Sequence, residues 1–261
     1  MKILFVGDVY GRPGRRAAAE LIPRLKEKHE VDFVIVNGEN SAGGFGITEK
    51  IGRKIHAYGA DVITTGNHVW DQKDSMPYIM AGEKILRPAN FPSDVGGIGS
   101  GVFVSASGIP VGVVCLQGRT NMLMLDCPFQ IGQSIVERLQ EETRVIVVDF
   151  HAEATSEKIA FGWFLDGKVS AVLGTHTHVQ TADEQVLPDG TAYMTDVGMT
   201  GPHDSVIGAE KEAAVRRFIN RMPVRFEPAS GDIKLCGVLL DVDEATGKSR
   251  SIKRLRIDLE E

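Results

Sequence analysis

The chain has 261 residues, 43% of them hydrophobic, and its 29 basic and 35 acidic side chains give a formal net charge of −6. This charge, with no cluster of lysine or arginine, argues against stable binding to long nucleic acid or to an anionic membrane. A small phosphorylated substrate stays compatible with it, because a bound metal ion can outweigh the overall repulsion. No linker or change in composition marks a boundary, so we predict one domain over residues 1–261 and leave a homo-oligomer open.

The cysteines and the apolar segments indicate the cellular compartment. Cys115, Cys127 and Cys236 are widely spaced, odd in number and free of a C-x-x-C pattern, which is typical of a reducing environment. The first apolar run is too short for a signal peptide, and no apolar run reaches the length of a membrane span. We therefore predict a cytoplasmic protein.

Short β-branched runs alternate with helical patterns along the chain, which is typical of parallel βαβ units. The predicted elements are strands at 2–6, 33–37, 62–65, 144–149 and 170–174, with helices at 13–28 and 48–58 between the first three strands. Residues 82–127 break this rhythm, and runs at 101–105 and 111–116 predict an antiparallel hairpin. Strands at 234–241 and 252–257 and a short helix at 210–220 follow. We expect a mixed α/β fold, a two-sheet αββα sandwich.

Polar side chains that can bind a metal ion or move a proton follow five of the predicted strands. They are, in chain order, Asp8, Glu39 with Asn40, Asn67 with His68, His151, and His176 with His178. Most are separated by about one βαβ repeat, roughly 30 residues, so successive side chains return to the same edge of the sheet. The longer gap before His151 contains the predicted hairpin, and we expect the chain to cross to the second sheet there.

The pair His176 and His178 is the most specific of these signals. In extended backbone, side chains two residues apart point to the same side, so both imidazoles can face one site unless the segment is helical. The alternative is that each imidazole only forms local hydrogen bonds. Likewise, Asp8 could cap the next helix, and Glu39 and Asn67 could belong to polar turns. Together these residues offer enough nitrogen and oxygen donors for two divalent or trivalent ions, with too few thiols for structural zinc.

With these residues in this order, the chain resembles the calcineurin-like metallophosphoesterase superfamily. Its motifs run D-x-H, G-D-x-x-D, G-N-H-D/E, an isolated H, and G-H-x-H, and the matching segments are 8–10, 38–40, 66–68, 149–151 and 174–178. Three positions depart from the pattern. Tyr10 stands where a histidine ligand is usual, Glu39 replaces a bridging aspartate, and Val69 replaces an acidic residue.

These departures, with the strings NGENSAGG at 37–44, HAEATSEK at 151–158 and DVGMTG at 196–201, make the chain similar to the YmdB-like branch. The resemblance implies a centre of two metal ions. Its ligands would be Glu39 as the bridge, Asp8 and His178 at the first ion, and Asn67, His151 and His176 at the second.

The resemblance leaves one ligand position to be filled at the first ion. Tyr10 is a poor ligand, because a phenol stays protonated at neutral pH, and Asn40 is the candidate in its place. An amide oxygen is a harder ligand than an imidazole nitrogen, so the first site favours iron first and manganese next over zinc.

His68 is the predicted catalytic residue. In a site of this kind, two ions about 3.5–4 Å apart share a hydroxide that attacks the phosphorus in line. His68 would then stabilise the developing charge or protonate the leaving oxygen. The alternative is that His68 only orients Asn67 or a metal-bound water. His203, in a later loop, is a further candidate for substrate contact.

Three functions are compatible with these residues. The first is a dimetal phosphodiesterase for small phosphate esters, with 2′,3′-cyclic nucleotides favoured because the YmdB-like branch is associated with them. The second is a regulatory protein that binds metal and nucleotide with little turnover, which the departures at Tyr10 and Val69 suggest. The third is a TIM-barrel amidohydrolase, which expects its H-x-H pair after the first strand and therefore ranks last. The glycine-rich segment 94–101 lacks the ending of a P-loop and is predicted to be a flexible connector.

Overall fold

In a computed structural model that describes residues 1–260, the chain folds into thirteen strands and six α-helices. The strands are β1 (Lys2–Val6), β2 (Phe33–Asn37), β3 (Val62–Thr64), β4 (Ile85–Leu86), β5 (Ser100–Val104), β6 (Pro110–Gln117), β7 (Val145–His151), β8 (Ala171–Thr175), β9 (Gln185–Val186), β10 (Ala192–Met194), β11 (Gly201–Pro202), β12 (Ile233–Val242) and β13 (Ser249–Asp258). The helices are α1 (Gly11–His29), α2 (Glu49–Ala57), α3 (Met76–Ala81), α4 (Pro128–Leu139), α5 (Thr155–Phe164) and α6 (Lys211–Asn220).

The strands form two mixed sheets. The first has the order β11-β12-β1-β2-β3-β4, with β13 paired to β12, and the second has the order β5-β6-β7-β8-β10-β9. Strands β1 to β4 run parallel, as do β6, β7, β8 and β10, whereas β5, β9 and β12 pair antiparallel with their neighbours. The predicted crossing to a second sheet is therefore confirmed, and it takes place through the hairpin of β5 and β6.

Alternating side chains of each strand fill different layers of the core, because successive residues of a strand face opposite sides. Ile3 and Phe5 of β1 lie between the two sheets, while Leu4 and Val6 pack beneath helix α1. Helices α4 and α5 cover the outer face of the second sheet. The order of layers is thus helix, sheet, sheet, helix, and the predicted αββα sandwich is confirmed. Two open sheets also exclude the TIM-barrel alternative.

Most predicted elements lie within one to three residues of the observed ones. The hydroxyl of Thr48 caps α2, accepting a hydrogen bond from the amide of Ile51 at 3.4 Å. The predicted fourth strand ends too early, because His151 still pairs with Thr175 of β8 and therefore belongs to β7. Helices α3, α4 and α5 were not predicted.

The glycine-rich segment 94–101 is held in place at its start, contrary to a freely flexible connector. The buried guanidinium of Arg87 donates hydrogen bonds to the carbonyls of Val95 at 2.7 Å and Gly96 at 2.9 Å, and the segment then enters β5. Among residues 1–260, no helix is long and apolar enough to span a lipid bilayer.

Candidate active site

The eight polar residues that follow the predicted strands meet at one edge of the sandwich. Asp8, Glu39, Asn40 and His151 are buried, whereas Asn67, His68, His176 and His178 are partly exposed. They meet because the carboxyl ends of β1, β2 and β3 in one sheet face those of β7 and β8 in the other. Glu39, His151 and His176 are the one group of three or more His, Cys, Asp or Glu side chains within 1–260 whose possible ligand atoms all lie within 4.8 Å of one another.

His151 lies at the centre of one cluster of donors. Its Nε2 is 2.9 Å from Asn67 Oδ1, 3.0 Å from His176 Nδ1 and 2.8 Å from Glu39 Oε1. These are the residues that the resemblance assigns to the second ion, together with the bridging glutamate. The cluster has room only because residue 66 is glycine, since a Cβ there would collide with His151 Nε2 and Glu39 Oε2.

A second cluster contains Asn40 and His178. The Asn40 side-chain amide donates to the carbonyl of Gly44 at 2.9 Å, which turns its oxygen toward His178 Nε2, 3.2 Å away. Asp8 Oδ1 lies 3.9 Å from His151 Nδ1, so Asp8 adjoins the first cluster. Asn40 therefore lies beside His178, and its role as a ligand stays a prediction.

Each of the three imidazoles has one nitrogen engaged by an acceptor outside the clusters. His151 Nδ1 lies 2.8 Å from the Thr175 hydroxyl, His176 Nε2 lies 3.2 Å from a Glu153 carboxylate oxygen, and His178 Nδ1 lies 2.8 Å from the Ile207 carbonyl. Since Thr175 donates its own proton to Asp149 at 2.7 Å, its oxygen must accept from His151. In the neutral tautomer that these contacts favour, the remaining nitrogen of each ring carries a lone pair directed into the clusters.

The carboxylates fit cations in the same region. Asp8 Oδ1 is buried and has no hydrogen-bond partner within residues 1–260, and buried Glu39 Oε1 has His151 Nε2 at 2.8 Å as its neighbour. Burial raises the pKa of Asp8 well above its usual range. Carboxylate and amide oxygens that face imidazole nitrogens at these distances are the arrangement that a bound cation stabilises. The residues present therefore fit a metal centre, and the individual ligand assignments stay predictions.

The raised pKa of His151 makes cation binding at this centre compete with protonation of the imidazole. Burial opposes its protonation, but the Glu39 carboxylate outweighs that effect and raises the pKa to about 9. Below that pH the imidazole carries a proton on Nε2, which a cation has to displace. Cation binding at His151 should therefore release a proton and weaken as the pH falls.

Tyr10 lines this region, where its ring packs against His178. Its ring lies edge-on to His178, with 5.5 Å between the ring centroids. Burial raises the pKa of its phenol, so the hydroxyl keeps its proton at neutral pH. His203 lies away from the cavity, with its Nε2 3.1 Å from the Met199 carbonyl, so it is placed as a structural residue.

The backbone of the H-x-H pair is not extended, and that part of the sequence argument is wrong. Strand β8 ends at Thr175, and His176 and His178 have φ values of 99° and 65°. Positive φ costs a residue other than glycine about 1–3 kcal/mol, so other contacts must hold this bend. Asp196 provides them, since its carboxylate accepts from the amide of Thr177 at 3.1 Å and from the Thr177 hydroxyl at 2.7 Å.

The same carboxylate forms a buried ion pair with Lys158 of α5, 2.7 Å apart. This contact joins two of the strings noted in the sequence, HAEATSEK and DVGMTG. Lys158→Met should destabilise the fold by about 3–5 kcal/mol, because it leaves the Asp196 carboxylate buried without its cation. Urea unfolding measures this loss. Lys211→Met, at an exposed pair with Asp204, is the matched control and should change stability little. Equal effects of the two substitutions would contradict the account.

His68 is positioned by the carboxylate of Asp71, which was not among the predicted site residues. Its Nδ1 lies 2.7 Å from Asp71 Oδ2, and its ring lies edge-on to Phe45, 5.1 Å between centroids. Val69, at the usual acidic position, is buried in the core instead. Asp71 thus replaces the missing acidic residue from two positions further along. The signal in the sequence was a carboxylate three residues after the histidine in a short loop.

Asp71→Asn should lower kcat about 10- to 100-fold, because the amide fixes the His68 ring and its tautomer less well than the carboxylate does. Metal content should stay at the parent value, since Asp71 contacts no predicted ligand side chain. Steady-state kinetics and metal analysis of the same preparation test both statements. Asp74→Asn, an exposed change in the adjacent turn, is the control. A drop in kcat that is equal in the two variants would contradict the role of Asp71.

Comparison with known proteins shows the family of the chain. A family model described as YmdB-like protein matches residues 4–255. The chain belongs to the YmdB-like family. The family predicted from the motifs is therefore confirmed.

Individual relatives of this YmdB-like chain match it over nearly its whole length. A 2′,3′-cyclic-nucleotide 2′-phosphodiesterase of Bacillus subtilis is 49% identical, covering 99% of this chain and 97% of that protein. The crystal structure of a hypothetical protein from Thermus thermophilus matches with a TM-score of 0.92 and 38% identity, covering 99% of both chains. That of a novel phosphatase from Mycoplasma pneumoniae matches with a TM-score of 0.92 and 37% identity, covering 99% of this chain and 93% of that one.

Proposed function

We propose that this YmdB-like phosphodiesterase hydrolyses small nucleotide diesters at a centre of two metal ions, with 2′,3′-cyclic nucleotides as the first candidates. The observation that carries the proposal is the direction of the three imidazole lone pairs, which converge with buried carboxylate and amide oxygens. The name of the Bacillus subtilis relative supports the choice of substrate. We further propose that the enzyme works in the cytoplasm.

The ligands proposed for the first ion are Asp8, Asn40 and His178, and those for the second are Asn67, His151 and His176, with Glu39 shared by both. Two such ions, when bound, stabilise the charge of the phosphoryl group and lower the pKa of a nucleophilic water. Imidazole together with carboxylate and amide oxygens suits iron, and manganese next.

His68 has the chemistry of the general acid. Asp71 engages its Nδ1, which leaves Nε2 for the cavity that the His68 ring lines. In hydrolysis the water oxygen bonds to phosphorus, the bond from phosphorus to one ribose oxygen breaks, and that oxygen takes a proton from His68. The contact between Asp71 and His68 argues against a purely regulatory protein. Asp71 supplies the carboxylate that the family pattern has directly after the catalytic histidine, where this chain has Val69.

A substrate panel tests the proposal. The protein, freed of metal and then supplied with iron(II) or manganese(II), should open 2′,3′-cyclic AMP and cleave a nitrophenyl phosphodiester. It should act more slowly on nitrophenyl phosphate. The chelated protein is the control and should be inactive. Absence of turnover on every diester with either metal restored would overturn the proposal and favour the regulatory alternative.

A further inference from the structure

We propose that the part of the active-site cavity lined by helix α6 and the segments beside it binds the nucleobase of the substrate. This base lobe consists of Val206, Ile207, Arg217, Phe218 and Phe226. The proposal rests on the function proposed above and adds where the base lies and which residues select it.

The cavity is larger than a phosphate group alone would fill. Its volume is about 600 Å³, within the range of pockets that enclose whole small molecules. Glu39, His68 and His178 line it, and so do residues of helix α6 and of the segment that follows it. The cavity can hold a ligand whose phosphate lies at the predicted metal ligands and whose less polar group contacts the base lobe.

The side chains of the base lobe are those that bind flat heterocycles. Phe226 carries the guanidinium of Arg217 over its ring, 5.2 Å from the centroid, and Phe218 is 69% exposed. Nucleobases stack on aromatic rings and on arginine, and such stacking tolerates different bases. Arg217 forms no ion pair with another residue of 1–260, so its charge is available to a ligand. A single arginine is too little for a long nucleic acid but suffices for one nucleotide.

The backbone joins the base lobe directly to the metal centre. The carbonyl of Ile207 accepts the hydrogen bond from His178 Nδ1, so the residue that orients a predicted ligand also presents its side chain to the lobe. Ile207 has a φ of 48°, which is rare for a β-branched residue. Bonds between Val206 and Ala209, whose amides and carbonyls pair at 2.9 and 3.0 Å, close this turn. This turn therefore links the predicted ligand His178 to the base lobe.

The test compares two substrates that differ only in the base. One is 2′,3′-cyclic AMP, and the other is the 2′,3′-cyclic phosphate of methyl riboside, which lacks a base. Phe226→Ala should raise KM for the nucleotide roughly tenfold or more and leave the kinetics on the riboside unchanged. Phe226→Trp, which keeps an aromatic ring, should have the parent KM. Ile219→Ala, an exposed change on α6 outside the cavity, is the matched control and should change neither substrate.

Equal effects of Phe226→Ala on the KM values of both substrates would overturn the proposal. An increase in KM for the nucleotide in Ile219→Ala as large as that in Phe226→Ala would overturn it too. The latter result would instead point to a contact of the whole α6 face with another molecule. Calorimetric titration with adenosine 3′-phosphate separates this proposal from the function on which it rests, because it needs no turnover. Weaker binding by Phe226→Ala than by the parent supports the lobe even if the parent is inactive, and equal affinities overturn it.

Discussion

His68→Ala is expected to lower kcat on nucleotide diesters by about 10²- to 10⁴-fold, the usual contribution of a general acid. The side chain would no longer protonate the leaving oxygen, whereas the backbone amide of residue 68 would still donate to Glu39 Oε2, 3.1 Å away in the parent. The bound metal should therefore stay at the parent amount. Kinetics together with metal analysis of the purified variant make this measurement.

Two further measurements give this result its meaning. A nitrophenyl diester has a leaving group that needs little protonation, so His68→Ala should lose much less activity on it than on the nucleotide. His29→Ala, at the last residue of α1, removes an imidazole outside the cavity and should be without effect. Loss of metal in His68→Ala would instead assign to His68 the alternative role of orienting Asn67.

Glu39→Gln should have the larger effect, because Glu39 is the one side chain proposed to contact both ions. The substitution keeps the shape of the residue and removes its charge, so metal content should fall from two ions per chain to one or none. Activity should fall about a thousandfold or more, since each ion contributes several kcal/mol to stabilising the transition state. Metal analysis and kinetics at saturating manganese provide the measurement.

The matched control is Glu137→Gln, which removes the same charge from an exposed position of α4. It should retain both ions and full activity. If Glu39→Gln kept two ions and its activity, the proposed bridge would be wrong, although the cluster of histidines would still stand as a metal site.

The sequence was sufficient for the parts of the site that depend on the order of strands. Asp8, Glu39, Asn67 and His176 each follow a strand in a βαβ repeat, and parallel strands bring such residues to one edge without further information. The same reasoning predicted the second sheet from the interruption of the repeat before His151.

The contacts that orient those residues could not be predicted, because they join distant parts of the chain through tertiary packing. Asp149 and Thr175 act on His151 from two strands, and Lys158 meets Asp196 only after α5 packs on the second sheet. The bend at the two histidines was mistaken for extended backbone because its cause, a buried carboxylate, lies about twenty residues further along the chain. Only Asp71 was near enough to its partner in sequence to have been suspected.

The central claim is that two ions in one centre carry out the hydrolysis, and a metal titration tests it most directly. Metal-free protein would be titrated with manganese(II) anaerobically, and bound metal and the rate of 2′,3′-cyclic AMP opening would be measured at each step. The account predicts a rate that rises until two ions are bound per chain and is constant thereafter. Full activity with one bound ion, or with none, would contradict it.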